Sequence, residues 1–360
     1  MRTDLQPVKI VLVGCGAVST LYYAPALQVL QRSGTLQVVA LFDPSPESVT
    51  RLNRVFPQAI CLQNLDQLSH SGAELAIIAS PPRYHAEQTI RALEAGLAVL
   101  CEKPMALTVA EGRAMIATAE SASRVLAVGL LRRFFPATRT IRDILAHGLL
   151  GDVMAFSFCE GSDFRWPVVS PDFFRKGGSH GGILLDIGVH VLDLMLWWWG
   201  QPDEIVYEDD AMGGIEANCR LWLRFPQGFQ GEVRLSREWS LPNQYLIQGT
   251  RGWVRWEVNE ADKVQIGFAG SRYRLNAELY EDDDKRPAFP RPAANFHRSF
   301  LDQLRNVVAA VRGHEPLFVS GVDGLQSLAL IEHCYRHRTF MSMPWLSDRE
   351  YQRAGQLNAL

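Results

Sequence analysis

Apolar positions in the first third of the chain fall into short runs set apart by amphipathic stretches. Val8 to Val13 is nearly continuous and mostly β-branched, and it ends on Gly14-Cys15-Gly16-Ala17-Val18-Ser19 before a helical pattern that reaches Leu30. Leu36 to Phe42 forms a second such run and closes on Asp43, 24 positions after Ser19. Leu75 to Ala79 closes on Ser80-Pro81-Pro82, with a helix containing Thr89 to Glu94 after His85, and Ala98 to Cys101 closes on Glu102-Lys103-Pro104. Strands alternating with helices predict a parallel sheet, whose ligands gather at the carboxyl ends of the strands.

From about Arg132 the pattern changes. A helix over Thr138 to His147 leads through Gly148 and Gly151 into a strand at Val153 to Phe158, and alternating strands recur from Glu204 to Ile266. Turn signals at Pro226-Gln227-Gly228 and Gly249-Thr250-Arg251-Gly252 imply hairpins and a mainly antiparallel sheet. Glu281 to Pro292, acidic and then proline-rich, reads as an exposed loop, and the last helices are Phe296 to Arg312 and Gly321 to Arg338. The expected division is a dinucleotide-binding domain over 1–131 and an α+β domain over 132–360.

Composition narrows the partners. Hydrophobic residues make up 47% and charged residues 21% of the 360, as in an ordinary folded protein, and a net charge of −3 gives no electrostatic pull toward nucleic acid or an anionic membrane. A small molecule is the expected ligand. The six cysteines, at 15, 61, 101, 159, 219 and 334, form no CxxC pair or cluster, so neither a metal site nor a disulfide framework is read. Ile10 to Val13 is too short for a signal peptide and Leu194 to Trp199 too short for a membrane span, and the expected location is the cytoplasm.

The glycine loop carries the first chemistry. Glycines between a strand and a helix let the backbone approach a pyrophosphate at the helix N-terminus, and an acid ending the second strand meets the adenosine ribose. Gly14, Cys15, Gly16, Ala17 and Val18 with Asp43 are therefore candidate cofactor residues; Ser19 stands where the fingerprint has a third glycine and is small enough for close helix packing. Asp43 favours NAD over NADP, because its carboxylate repels a 2′-phosphate; Arg51 is the nearby cation within possible reach. Ser80, Pro81, Pro82, His85, Glu102 and Lys103 lie at or beside the carboxyl ends of later strands and join the cofactor set.

A second concentration of chemistry runs from Gly181-Gly182 through Asp186, Gly188, His190 and Asp193 into an apolar helix ending at Trp199. Positions 186, 190 and 193 share one helical face. Burying such groups without partners costs roughly 2–7 kcal/mol each, so they require partners, water or a ligand. Gly188 costs about 1 kcal/mol in a helix interior relative to alanine and marks a close approach.

Together these motifs resemble the Gfo/Idh/MocA oxidoreductases over essentially the whole chain. The markers are Gly14 to Ser19, Ala79-Ser80-Pro81-Pro82 with His85, Ala95-Gly96 leading to Glu102-Lys103-Pro104, Gly129 with Arg132-Arg133-Phe134, and Gly182 with Asp186, His190 and Asp193. The resemblance implies a Rossmann domain followed by a domain with a large open, mostly antiparallel sheet that forms homodimer or homotetramer contacts. Leu221, Leu223, Val233 and Leu235 are candidates for that contact face. It also implies an NAD-dependent dehydrogenase of sugars, sugar derivatives or polyols with Lys103, Asp186 and His190 as its catalytic group. In that chemistry His190 is the general base, Lys103 steadies the alkoxide and Asp186 orients substrate or imidazole. Arg133 and Trp166 are substrate-facing candidates, the tryptophan because an aromatic face suits a sugar ring. The alternatives are a glycoside hydrolase using NAD transiently and an NAD-binding ligand sensor; the sensor leaves Lys103, Asp186 and His190 unexplained.

Overall fold

The computed structural model describes residues 6–165, 167, 180–278, 294–342 and 347–358. Trp166 and the loop expected over 281–292 lie outside the described residues. The chain divides into two compact units, Met1–Phe134 with Arg291–Leu328, and Phe135–Pro290 with Ala329–Leu360.

The elements of the first unit follow the apolar runs closely: β1 (Val8–Val13), α1 (Ala24–Arg32), β2 (Leu36–Phe42), α2 (Pro46–Asn53), β3 (Ile60–Cys61), β4 (Leu75–Ile78), α3 (His85–Glu94), β5 (Ala98–Cys101), α4 (Val109–Ala122) and β6 (Leu126–Val128). Among the described residues these six strands pair in parallel in the order β3-β2-β1-β4-β5-β6, the doubly wound arrangement that places a switch point at β1/β4. All residues of β4 and β5 are buried, as expected of a parallel sheet covered on both faces. A π-turn at Ser19–Tyr23 precedes α1; Pro25 lacks an N–H, and the Ala24 amide donates to Ser19. At α4, Thr108 and Glu111 form a capping box that fixes its start just beyond the Lys103 turn.

In the second unit α5 (Pro136–Ala146) begins two residues before the expected helix, with Pro136 preorganised for its first turn. Then follow β7 (Val153–Gly161), α6 (Val189–Trp199), β8 (Glu204–Asp209), β9 (Asn218–Arg224), β10 (Gln230–Ser236), β11 (Gln244–Gly249), β12 (Gly252–Glu257), β13 (Lys263–Phe268) and β14 (Arg274–Glu278). The helix α7 (Ala294–Val311) belongs to the first unit, where Phe300 stacks on Tyr22 at 5.2 Å, and α8 (Gly321–Arg336), β15 (Thr339–Phe340) and α9 (Asp348–Asn358) complete the chain. The described strands form a nine-stranded sheet in the order β14-β13-β12-β11-β7-β10-β9-β8-β15. Its pairs are antiparallel except β7/β10 and β8/β15, and both turn signals close the hairpins they implied.

Leu221, Leu223, Val233 and Leu235 are 2% exposed or less, which corrects their assignment to a contact face. They belong to the covered side of the sheet, where a Cβ on Gly188 would lie 3.1 Å from Leu235. On the same side Trp199 packs among Phe156, Phe225 and Phe229 at 5.0–5.2 Å. The mid-sequence glycine thus lets the Asp186–His190 segment settle on the sheet, and an apolar helix with a polar entrance follows from that packing.

Candidate active site

In the first unit the glycine loop is built by hydrogen bonds from its own strand ends. The Gly14 amide donates to Phe42 at 2.8 Å, and Gly14 has φ +93 with a would-be Cβ 2.5 Å from the Ser80 nitrogen, so no other residue fits there. Nothing lies within 4 Å of a Cβ on Gly16, which leaves its backbone open to a ligand. Ser19 is fully buried and its hydroxyl donates to the Gly14 carbonyl at 2.5 Å, so serine at the third fingerprint position ties helix to loop with a bond that glycine lacks. Asp43 accepts from the Cys15 amide and the Ser45 amide, both at 2.8 Å, one on each carboxylate oxygen. Each oxygen retains acceptor capacity for a ribose hydroxyl. Burial, reinforced by Asp43, pushes the Cys15 thiol up to about 12, leaving it an inert packing group.

Lys103 follows β5 in a turn whose Lys103–Pro104 peptide is cis. Its neighbour Glu102 accepts from the Tyr23 hydroxyl at 2.6 Å and from the Lys103 amide at 3.1 Å. Burial raises the Glu102 carboxyl and, with Glu102 beside it, lifts the Tyr23 phenol well above its usual range. Gly129 belongs to this arrangement, since a Cβ there would stand 3.0 Å from the Glu102 carboxyl group. His85 is 1% exposed; one ring nitrogen faces the Pro104 carbonyl at 2.8 Å and the other the Ser80 carbonyl at 2.7 Å. Burial lowers its pKa against the pull of the two carbonyls. Ser80 turns its hydroxyl to Gln88 at 2.5 Å, and Pro81 and Pro82 lead into the turn before α3. Arg133 is 4% exposed and pairs with Asp323 at 2.9 Å inside the same unit.

In the second unit Asp186 lies in a π-turn, Leu184–Gly188, that enters α6, and His190 lies in the first turn of that helix. Both are half-buried, whereas Asp193 is 1% exposed. His190 and Asp193 keep their i, i+3 relation within α6, and the wider π-turn rotates Asp186 relative to both, so the expected single face is broken at Asp186. Such turns recur at functional sites.

Two charged groups around this segment escaped the sequence reading. Arg237, just past β10, is 8% exposed; its guanidinium bonds Asp186 at 3.3 Å and lies 5.4 Å from the Phe164 ring. A signal for it exists, because 237 continues the inward phase of Val233 and Leu235. Glu216, 1% exposed, accepts from the Gly182 and Leu184 amides at 3.0 Å and from the Tyr335 hydroxyl at 2.7 Å. It sits in a glycine-containing link between β8 and β9, where no periodicity marks it. Among the described residues no group of three or more His, Cys, Asp or Glu is arranged for a metal ion, and no helix is long and apolar enough to cross a membrane.

A family model described as an oxidoreductase family with an NAD-binding Rossmann fold matches residues 8–130, and the corresponding C-terminal domain model matches residues 138–255. Trans-1,2-dihydrobenzene-1,2-diol dehydrogenase of Mus musculus is 32% identical over 236 residues, 64% of each chain, so the alignment stops short of two thirds of that relative. Rhizopine catabolism protein MocA of Rhizobium meliloti is 31% identical over 335 residues, 89% of this chain and 92% of its own. Levoglucosan dehydrogenase, solved with NADH and levoglucosan, superposes with a TM-score of 0.80 at 21% identity over 92% of this chain and 98% of that one, a likeness of fold. With both domain models matched in order and a relative aligned almost end to end, the chain belongs to the Gfo/Idh/MocA oxidoreductase family.

Proposed function

We propose that the protein is an NAD-dependent dehydrogenase that interconverts a hydroxyl and a ketone on a sugar, sugar derivative or polyol. The observation that carries this reading is the half-buried Asp186 and His190 on one segment, with the buried, permanently charged Arg237 bonded to the Asp186 carboxylate. Family membership and the relatives' alcohol-oxidising activities support it.

Residues 1–131 would hold the dinucleotide. Gly16 and the amides entering the following helical turns suit the pyrophosphate, and Asp43 suits the ribose. NAD, when bound, supplies the hydride acceptor. His190 takes the hydroxyl proton as the carbon gives up its hydride, since an imidazole titrates near neutrality. Lys103 donates a hydrogen bond to the oxygen as negative charge develops on it, and Asp186, bonded by the Arg237 guanidinium at 3.3 Å, orients the reacting hydroxyl or the imidazole. Residues 132–360 bind the substrate and mediate association into a homodimer or homotetramer in the cytoplasm. The second face of the large sheet, by strand register, carries Val206, Trp222, Leu246 and Trp253 among charged residues. Light scattering that finds only a 40.4 kDa species removes the oligomer.

The test is NADH formation over a panel of inositols, aldoses, deoxysugars and nucleotide-linked sugars, run beside aglycone release from chromogenic glycosides. NADH accumulation with at least one polyol or sugar is expected. Aglycone release without NADH converts the reading to a redox-assisted hydrolase, and binding without either product to a sensor.

A further inference from the structure

The Gly181-Gly182 pair entering the Asp186–His190 segment has no part in the chemistry proposed above, yet it is tightly constrained. A Cβ on Gly182 would fall onto the Glu216 carbonyl oxygen, and a Cβ on Gly181 would fall onto the Tyr335 hydroxyl. These two neighbours are the ones that grip the segment. Both Glu216 carboxylate oxygens lie 3.0 Å from the Gly182 amide nitrogen, one of them also accepts from the Leu184 amide at 3.0 Å, and the Glu216 backbone carbonyl accepts from Ile183 at 3.1 Å. Tyr335 donates to the same carboxylate at 2.7 Å.

The Gly182 peptide so held passes directly to the site. Its carbonyl accepts the Asp186 amide at 3.1 Å, an i to i+4 bond that ties Gly182 to the π-turn at Asp186. We propose that Glu216 is the positioning residue of the Asp186–His190 segment: its carboxylate saturates the amides at the segment's entrance and sets the seat of the turn that presents both side chains. The two glycines serve to admit Glu216 and Tyr335 rather than a ligand. The inference rests on the reading of Asp186 and His190 as catalytic, but the seat itself is a property of the free protein.

Burial raises the Glu216 carboxyl while the Tyr335 and Leu184 donors favour its ionised, acceptor-only form, and a carboxamide in its place must turn an NH2 toward at least one donor. Glu216→Gln is therefore the informative change, with Tyr335→Phe as a milder partner that removes one donor and leaves the carboxylate on the amides. Histidine side-chain NMR on ligand-free protein, with His190 assigned through His190→Gln, reads the seat without any turnover. Turnover, substrate KM and NAD affinity are measured on the same preparations.

For Glu216→Gln we expect a displaced His190 resonance, turnover lowered by about 10- to 100-fold through misplacement of the reacting groups, and a smaller change in KM. NAD affinity should hold, because Glu216 is not among the dinucleotide residues. Tyr335→Phe should move both readouts the same way by less. Should Glu216→Gln lose its cooperative melting transition, Tyr335→Phe carries the decision alone. A folded variant with an unmoved His190 resonance and unchanged turnover overturns the inference. If the unmutated protein oxidises no polyol or sugar, the dehydrogenase reading fails while the NMR comparison still decides the seat.

Discussion

The turn that carries Lys103 and the segment that carries Asp186 and His190 are held in opposite ways. The first is packed against a buried imidazole, His85, whose ring nitrogens face the Pro104 and Ser80 carbonyls, the neutral ring donating its one N–H to one of them. The second is gripped through its amides by a buried carboxylate, Glu216. A carbonyl-rich turn after a strand leaves acceptors to satisfy, and a helix entrance leaves donors, so each clamp has the chemistry its backbone lacks. The clamps also differ in reach. His85 lies 5 and 19 residues from its partners, inside one βαβ neighbourhood, whereas Glu216 meets Gly182 across 34 residues and Tyr335 across 119.

Removing chemistry from either side gives the largest effect and tests whether the two regions have separate duties. Lys103→Ala should lower turnover by roughly 10²–10³-fold, the usual cost of losing a donor to developing charge, and weaken NAD binding as well because it stands on a loop of the dinucleotide unit. Kinetics with a parallel NAD titration read both. A loss confined to NAD affinity would place Lys103 with the cofactor alone.

Next in size is a contrast between two glycines. Gly182→Ala puts a Cβ onto backbone and should destabilise the protein by about 1–3 kcal/mol, seen as a lower melting temperature. Gly16→Ala meets no neighbouring atom and should leave melting unchanged while weakening NAD binding. Equal melting curves for the two variants would break the distinction between a glycine kept for a protein neighbour and one kept for a ligand.

A smaller effect is expected at Asp43. Asp43→Ser should narrow the preference for NAD over NADP, measured as the ratio of kcat/KM values. Unmutated protein that already prefers NADP contradicts the assignment.

The smallest concerns Asp323, the partner of Arg133. Burial pushes its carboxyl up, but Arg133 and Ser320 outweigh that and hold it below 3.8. A depressed carboxyl contributes stability above its unfolded value and loses it as pH falls through the folded one. Asp323→Asn should therefore lower the melting temperature at neutral pH, and the gap to the parent should close below pH 3.8. A gap independent of pH would assign the effect to packing.

The same contrast of near and far explains what could be read from the chain. Apolar runs ending in glycine, serine-proline or Glu-Lys-Pro made the parallel sheet and its ligand edge legible, because strand, turn and helix there are consecutive. Asp186 and His190 stood out as charge inside an apolar helix. Arg237 was concealed only because it lies one position past its strand, in phase with Val233 and Leu235. Glu216 and Tyr335 were not legible, since their partners are set by the folding of distant segments and no local period records that. The π-turn was likewise invisible; it rotates Asp186 relative to His190 and Asp193, which share α6.

The central claim is that His190 removes the proton from a substrate hydroxyl during its oxidation. Its most direct test is the turnover of His190→Ala beside its NAD affinity, on a substrate that yields NADH with the unmutated protein. Turnover should fall by roughly 10²–10⁴-fold with NAD affinity nearly unchanged, the contribution typical of a general base. Full turnover in His190→Ala would contradict it and return the histidine to a structural role.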